Sequence, residues 1–498
     1  MNVGVTLAEL VAPWVKIKNQ QLACLVVSDI KIDSRAIKPG TGFLAVKGHT
    51  SDGRDFISQS IDLGASYVIS DADCPKQQGS IKYHNGIPIL SIYRLGDILS
   101  ELACRFYPLG SLRIIGTTGT NGKTTVAHLV AQWLQLLGQS VSVIGTIGHG
   151  FLNRLEVSNN TTESAIDMAS LLARYSLEAD YASIEVSSHG LVQGRVKAIP
   201  FSVGIFTNLS HDHLDYHGTM ESYMAAKKLL FTDHYCAHSV INADDSTGQK
   251  WLELLDSSIG VSLYPHKKSR KVTLWADHVS YSAKGVNIDI DGQFGKGSVC
   301  APLIGEFNAS NLLLGLAALL VLGFKLDALL TTAPNLTPVS GRMELFSAVG
   351  KPQIVVDYAH TPDALEKALS ALRLHCNHKG KVWVVFGCGG DRDITKRPIM
   401  AGIANRLADH IVLCDDNPRS EPAGSIIKNM LDGLDDDRER VRVIHSRLDA
   451  LLYAFACAEV DDIILLAGKG HESYQAYQAD IRYHSDREAA AAVMGMEL

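Results

Sequence analysis

The run Gly116-Thr-Thr-Gly-Thr-Asn-Gly-Lys-Thr-Thr125 has the residue types that hold a phosphate. Glycines let the backbone turn its N–H groups toward an anion, Lys123 adds a point charge, and Thr124 offers a hydroxyl to Mg2+. The spacing departs from the general phosphate-loop pattern, because Thr117 stands where that pattern has its first glycine, and Gly119-Thr-Asn-Gly-Lys-Thr124 carries the loop instead. Two further stretches have chemical character. Glu185 precedes Ser187-Ser-His-Gly190, and Asn208 opens Asn208-Leu-Ser-His-Asp-His-Leu-Asp-Tyr-His217. A glutamate and a histidine at neighbouring strand tips suit a divalent cation, bound directly or through water. The histidines do not make a zinc site: only His213 and His217 have helical i, i+4 spacing, and the residues between them are wrong for it. Lys227 and Lys228 have the composition of solvated surface charges. A lysine of lowered pKa in a crevice can instead take up CO2 as an anionic carbamate.

These residues need elements to position them. Leu112-Arg-Ile-Ile115 has the character of a buried strand before the loop, and Val126 to Leu137 has helical apolar spacing after it. Strands are expected at Gly42–Val46, Ala65–Ile69, Val141–Gly145, Tyr181–Val186, Val203–Thr207 and Ser239–Asn242, and helices at Ile92–Tyr107 and Glu221–Phe231. Residues from about 260 to 300 are β-rich. The apolar run Leu312–Gly323 is too short to cross a bilayer and predicts a buried helix, with Asn308 and Asn311 either capping it or facing a nucleotide base. After a linker at Pro334–Pro338, strands at Gln353–Val356, Lys381–Phe386, His410–Cys414 and Asp462–Leu466 each end in a polar signature. Alternating strands and helices imply parallel sheets with ligands at the strands' C-terminal ends. Gly387-Cys-Gly-Gly-Asp-Arg-Asp393 is not a dinucleotide fingerprint.

A length of 498 residues suggests about three domains. A net charge of −7 gives no bulk attraction for nucleic acid, so an anionic ligand must meet local cations. The nine cysteines include no C-x-x-C pair, which points to reduced thiols. Met1 to Leu10 lacks the basic and apolar regions of a signal peptide, and the expected location is the cytoplasm.

Together, Thr118-Gly-Thr-Asn-Gly-Lys-Thr124, Asn160-Thr-Thr162, Glu185-Val-Ser-Ser-His-Gly-Leu-Val-Gln-Gly-Arg195, Asp212-His-Leu-Asp-Tyr-His-Gly218 and Asp416-Asn-Pro-Arg419 resemble the Mur ligases, over all three domains. The loop and Lys227 are shared with folylpolyglutamate synthetases. The resemblance implies an α/β protein with a UDP-sugar-binding N-terminal domain (1–91), a central parallel-sheet ATPase domain (92–338) and a C-terminal Rossmann-like amino-acid-binding domain (339–498). It implies a monomeric ligase of peptidoglycan synthesis, and hence of cell shape and division. The D-N-P-R form goes with meso-2,6-diaminopimelate, added to the D-glutamate γ-carboxylate of UDP-N-acetylmuramoyl-L-alanyl-D-glutamate. A lysine-adding Mur ligase or a folylpolyglutamate synthetase-like ligase is the alternative.

Residue by residue, the resemblance assigns ATP to Thr118, Gly119, Thr120, Asn121, Gly122, Lys123, Thr124, Asn308, Arg342 and Asp357. It assigns the UDP-substrate to Ile32, Ser34, His49, Thr50, Ser51, Asn160, Thr161, Thr162, Ser187, Gln193 and Arg195. Diaminopimelate falls to Arg392, Asp416, Asn417, Pro418, Arg419, Gly468 and Glu472. Mg2+ falls to Thr124, Glu185, His213 and a carbamate on Lys227, and catalysis to Lys123, Lys227, His213 and Glu185.

Overall fold

The computed structural model describes residues 4–48, 51–158, 160–265, 271–282, 285–376, 380–434, 439–478 and 480–498. The chain forms two compact units: one comprises Met1–Thr118, Gln139–Gly204 and Glu221–His238, the other Gly119–Gly138, Ile205–Met220 and Ser239–Leu498.

In the first unit a sheet runs in the order Ile30–Lys31, Gly42–Ala45, Tyr67–Ala72, Ile87–Tyr93, Ile81–His84. Its pairs are parallel except the last, a hairpin. Gly42–Ala45 is buried at every position, as the all-apolar sequence of a strand covered on both faces requires. Only glycine fits at Gly42, where a Cβ would lie 2.0 Å from the Tyr67 ring. The helix expected from Ile92 begins at Leu95, because Ile87–Tyr93 pairs with Tyr67–Ala72 and Arg94, at φ 57°, turns the chain between strand and helix. A second set of strands in this unit pairs Tyr181–Glu185 in parallel with both Arg113–Thr118 and Val141–Ile144, setting Glu185 opposite Thr117. Val141–Ile144 continues into an antiparallel ribbon, His149–Phe151 with Arg154–Glu156. The helix Met220–Thr232 presents Tyr223, Ala226, Lys227 and Leu230 to the interior, at the i, i+3, i+4, i+7 spacing of one face.

In the second unit the helix Lys123–Leu136 packs on Glu306–Val321. Their approach is close at Gly315, where a Cβ would sit 3.5 Å from Val130. Asn308 and Asn311 are not caps. Gly305, at φ 94°, precedes the first turn, and both asparagines are buried inside the helix. The β-rich stretch is a ribbon: Ser239–Asn242, Ser258–Ser262 and Val272–Ser282 run parallel, then Gly285–Gly292 and Gly297–Ala301 fold back antiparallel. The C-terminal sheet has the order Glu344–Phe346, Gln353–Asp357, Ile463–Ala467, Val382–Phe386, His410–Leu413, Val441–Val443, parallel apart from its first strand. Apolar side chains cover both its faces, which leaves the polar tips at one edge for a ligand. A small hairpin, Tyr474–Tyr477 with Asp480–Tyr483, follows the Ile463–Ala467 tip.

Candidate active site

The phosphate-loop candidate is built by backbone geometry. Gly119, at φ 153°, stands where a Cβ would lie 1.8 Å from Thr207 Oγ1. Gly122, at φ 86°, stands where a Cβ would lie 2.5 Å from Asn311 Oδ1. Neither position admits a side chain. Thr120 N–H donates to the Asn208 carbonyl (2.8 Å), and Asn121 N–H donates to Asn208 Oδ1 (3.0 Å). Thr207 Oγ1 donates to the Asn121 carbonyl (2.6 Å). Asn208 therefore shapes the loop, and nothing in the sequence signalled it beyond its place at a strand tip. Lys123 Nζ donates to the carbonyls of Gly119 and Thr120, each at 2.9 Å. Gly122 supplies no side-chain cap to the Lys123–Leu136 helix, whose first-turn N–H groups suit an anion. Burial works against ionisation of the Asp212 carboxyl, but the charges of His213, His360 and Lys123 hold it below its ordinary value. His213 has φ 53°, and its Nε2 lies 3.4 Å from Asp212 Oδ2.

Beside the loop is a cleft of about 480 Å³, a size that suits a nucleotide-scale ligand. Asn121, Gly122, Asn311, Arg342, Asp357 and Tyr358 lie on its wall. Asn308 stands behind that wall, 2% exposed, where its Oδ1 accepts from Asn311 Nδ2 at 3.2 Å. Asp357 accepts the N–H groups of Met343 (2.7 Å) and Ala359 (2.9 Å). Burial pushes its carboxyl above the ordinary value, against the pull of Arg342. The Arg342 guanidinium lies 4.4 Å from the Tyr358 ring centre, and its Nη2 donates to Thr124 Oγ1 at 3.4 Å.

At the tips of the C-terminal sheet the residues expected to meet an amino acid converge. Asp416 and Asn417 are buried, and Arg419 has φ 52°. Arg419 Nη1 donates to the Gly390 carbonyl (2.7 Å), and its N–H donates to the Ala476 carbonyl (2.9 Å). A Cβ at Gly389 would lie 2.9 Å from Arg419 Nη1 and 3.7 Å from Arg392 Cγ, so the two arginines flank that glycine. At Gly468, φ 107°, a Cβ would stand 3.0 Å from Asp416 Oδ2. Pro418 lies between Asn417 and Arg419 in this turn, and its carbonyl accepts the Glu421 N–H at 3.1 Å. Lys469, which sequence reasoning passed over, bonds both Asn417 and Glu472.

Within the first unit, Glu185 is 1% exposed. Its Oε1 accepts the Thr146 N–H (2.8 Å), and its Oε2 accepts the Thr146 hydroxyl (3.1 Å). Thr146 Oγ1 also lies 3.1 Å from Thr161 Oγ1. Thr162 Oγ1 donates to the Glu185 carbonyl (2.9 Å) and accepts the Ser187 N–H (2.9 Å), while Arg195 bonds the Thr162 carbonyl and Gln193 Oε1. Asn160 Nδ2 donates to Glu163 Oε2 at 3.3 Å. Thr161, Thr162, Ser187, Gln193 and Arg195 thus share one hydrogen-bonded cluster with Glu185, while Asn160 bonds Glu163 beside it. Ser34 is buried and donates to Gln59 Oε1 (3.3 Å), Ile32 is half-buried, and Ser51 is exposed. His49 and Thr50 lie outside the described residues. Lys227 is 1% exposed, its Nζ 4.5 Å from the Tyr223 ring centre.

Among the described residues no three His, Cys, Asp or Glu side chains are grouped to hold a metal. In the first unit Glu185 is a hard oxygen donor of the kind Mg2+ takes, and in the second unit the Thr124 hydroxyl is another.

Three family models match the chain: "Mur ligase family, catalytic domain" at residues 26–107, "Mur ligase middle domain" at 117–319 and "Mur ligase, glutamate ligase domain" at 341–470. The chain is 52% identical over 497 residues to the UDP-N-acetylmuramoyl-L-alanyl-D-glutamate–2,6-diaminopimelate ligase of Vibrio vulnificus (strain YJ016), covering 100% of both chains. It is 50% identical over 498 residues to the enzyme of the same name from Vibrio cholerae serotype O1, again covering 100% of both. A solved structure of a UDP-N-acetylmuramoyl-L-alanyl-D-glutamate–2,6-diaminopimelate ligase is 32% identical, covers 99% of both chains and gives a TM-score of 0.70.

Proposed function

The chain belongs to the Mur ligase family, and we propose that it is the ATP-dependent ligase that adds meso-2,6-diaminopimelate to UDP-N-acetylmuramoyl-L-alanyl-D-glutamate. The observation that carries this is the full-length 52% identity to a ligase of that name. The convergence of Asp416, Asn417, Arg419 and Glu472 at one sheet edge supports it. The acceptor is the D-glutamate γ-carboxylate, and the setting is cytoplasmic peptidoglycan-precursor synthesis. No helix among the described residues is long and apolar enough to cross a membrane.

The chemistry is governed by charge. Transfer of the γ-phosphoryl from ATP to the carboxylate releases ADP and gives an acyl phosphate. Both reactants are anionic and repel each other. Lys123, which donates to two loop carbonyls, is placed to exchange those bonds for phosphate oxygens, and the loop N–H groups add fixed dipoles. A neutral amine of diaminopimelate then attacks the acyl carbon, and the tetrahedral adduct collapses by expelling phosphate, leaving the amide. Mg2+, when bound, offsets phosphate charge, and the residues that suit it are Thr124, Glu185, His213 and a carbamate on Lys227. That carbamate is proposed from the match of Lys227 to the carbamylated lysine of the family, and the burial of Lys227 suits it; absence of a carbamate 13C resonance in protein equilibrated with 13C-bicarbonate would remove it.

Recognition of the amine also follows from charge. Arg419 and Arg392 fork to the distal carboxylate, and Asp416 and Glu472 pair with its ammonium. L-Lysine has no such carboxylate and would leave an arginine unmatched in the site, which is costly. The residue groups given above for ATP and the UDP-substrate, and the division at 1–91, 92–338 and 339–498, belong to the same proposal. The test is phosphate release with ATP, Mg2+ and UDP-N-acetylmuramoyl-L-Ala-D-Glu, with meso-diaminopimelate or L-lysine as the only amine. Release with diaminopimelate alone, with a tripeptide product by mass, is expected. Release with L-lysine discards the specificity argument, and release with neither discards the ligase.

A further inference from the structure

Lys469 is 0% exposed, a rare state for a lysine. Its Nζ donates to Glu472 Oε2 at 2.6 Å and to Asn417 Oδ1 at 3.0 Å, and lies 4.9 Å from the centre of the Tyr474 ring. Asn417 closes the triangle, its Nδ2 donating to Glu472 Oε2 at 3.1 Å. Asn417 Oδ1 also accepts the Ala476 N–H at 2.9 Å, which ties the Tyr474–Tyr477 strand to the same point. One buried cation therefore joins the turn after His410–Leu413, the turn after Ile463–Ala467 and the hairpin. Glu472 is held asymmetrically. Its Oε2 carries two donors, whereas its Oε1 takes a 3.4 Å bond from the Tyr358 hydroxyl.

Building on the proposed function, we infer that Lys469 is the positioning residue of the amine site, holding Glu472 and Asn417 so that Glu472 Oε1 presents its charge to a substrate ammonium. Geometry and charge both support this role. With Oε2 fixed, the carboxylate cannot rotate, so Oε1 keeps one direction. Lys469 also balances the Glu472 charge before substrate arrives, through a 2.6 Å ion pair. Without the ammonium, Glu472 and the Asn417 amide lose their common partner and reorient, and the ammonium of diaminopimelate meets a mobile anion instead of a fixed one. Lys469 does not itself touch the substrate.

The test uses the full chain and steady-state phosphate release, varying meso-diaminopimelate and ATP separately. Lys469→Met should raise the diaminopimelate KM by about tenfold or more, while the ATP KM stays within about twofold. A folded Lys469→Met chain whose diaminopimelate KM is within about twofold of the unaltered chain overturns the inference. The thermodynamic cycle with Glu472→Gln keeps the test independent of folding, because the double variant buries no unmatched charge. If Lys469 acts through Glu472, adding Lys469→Met to Glu472→Gln should change the diaminopimelate KM by less than about twofold. Multiplicative effects of the two substitutions overturn it. Absence of diaminopimelate-dependent turnover in the unaltered chain overturns the functional proposal and this inference together, whereas normal turnover with an indifferent Lys469→Met overturns the inference alone.

Discussion

Arg419 takes up backbone strain to aim a guanidinium. At φ 52° it occupies the left-handed region, which costs a residue with a Cβ about 1 kcal/mol. Two backbone bonds across the Tyr474–Tyr477 strand hold it there, and its Nη1 is anchored to the Gly390 carbonyl. Alanine carries the same Cβ, so Arg419→Ala adds little new strain and reports on the guanidinium itself. In steady-state assays this variant should raise the diaminopimelate KM by about 100-fold, the scale of a lost charge-assisted fork, and leave the ATP KM within about twofold. Equal losses for both substrates would mean that Arg419 only supports the fold. Glu185 is held by a comparable economy of means, since one residue, Thr146, gives it both a backbone and a hydroxyl donor. Gly145, next to Thr146, comes equally close: a Cβ there would fall 2.2 Å from Glu185 Oε1.

At the scale of elements, the loop before Lys123–Leu136 depends on two glycines for different reasons. Gly119 is required by Thr207, whose hydroxyl would lie 1.8 Å from an added Cβ, and Gly122 by Asn311. Gly119→Ala should therefore displace the loop and lower kcat/KM for ATP by about 100-fold or more, a larger effect than a lost hydrogen bond gives. Calorimetric titration with nucleotide checks it, and unchanged affinity would refute the steric account. This loop was legible because glycine spacing, Lys-Thr and an apolar helix all lie next to one another in the chain. The C-terminal tips were legible for a similar reason: each buried strand ends abruptly in polar residues or glycine, as at Asp357, Asp416 and Gly468. What could not be read depends on partners distant in sequence. Asn208 shapes the loop from more than eighty residues away, as Thr146 shapes Glu185 from nearly forty. Lys469 sat in a motif noted for its neighbours, and only burial against Asn417 and Glu472 distinguishes it from a surface lysine. Asn308 and Asn311 resembled caps because asparagine favours that position. The helix starts at Glu306 instead, since Gly305 adopts the φ of 94° that turns the chain. Ile92 and Tyr93 resembled a helix start, yet their pairing with Asp71 and Ala72 makes them strand.

For the whole molecule, buried titratable groups decide how stability varies with pH. Arg447 and Asp486 form a fully buried bidentate pair (2.8 and 2.7 Å) that also braces the Ala467 carbonyl, just before the Gly468 turn. Burial alone would raise the Asp486 carboxyl, but the charge of Arg447 holds it far below the ordinary range. A depressed carboxylate contributes stability at any pH above its unfolded value, so the contribution of this pair is full and constant near neutrality and weakens only below about pH 4. His128 behaves differently. It lies 7% exposed on the Lys123–Leu136 helix, and burial, reinforced by the charge of Arg342, lowers its value from 6.5 to about 4. The unfolded chain then binds a proton that the folded chain refuses whenever the pH lies between those values. Stability must fall as pH drops through 6.5 and level off near 4, by up to about 3 kcal/mol from this group. Thermal melts of the full chain at pH 7, 5.5 and 4.5 should show the transition of the second unit moving down across that window. His128→Gln, which cannot take the proton, should flatten the descent. A slope identical in the two chains would show that His128 is protonated without penalty in the folded state, and that the helix carrying the phosphate loop does not set the acid limit of the molecule.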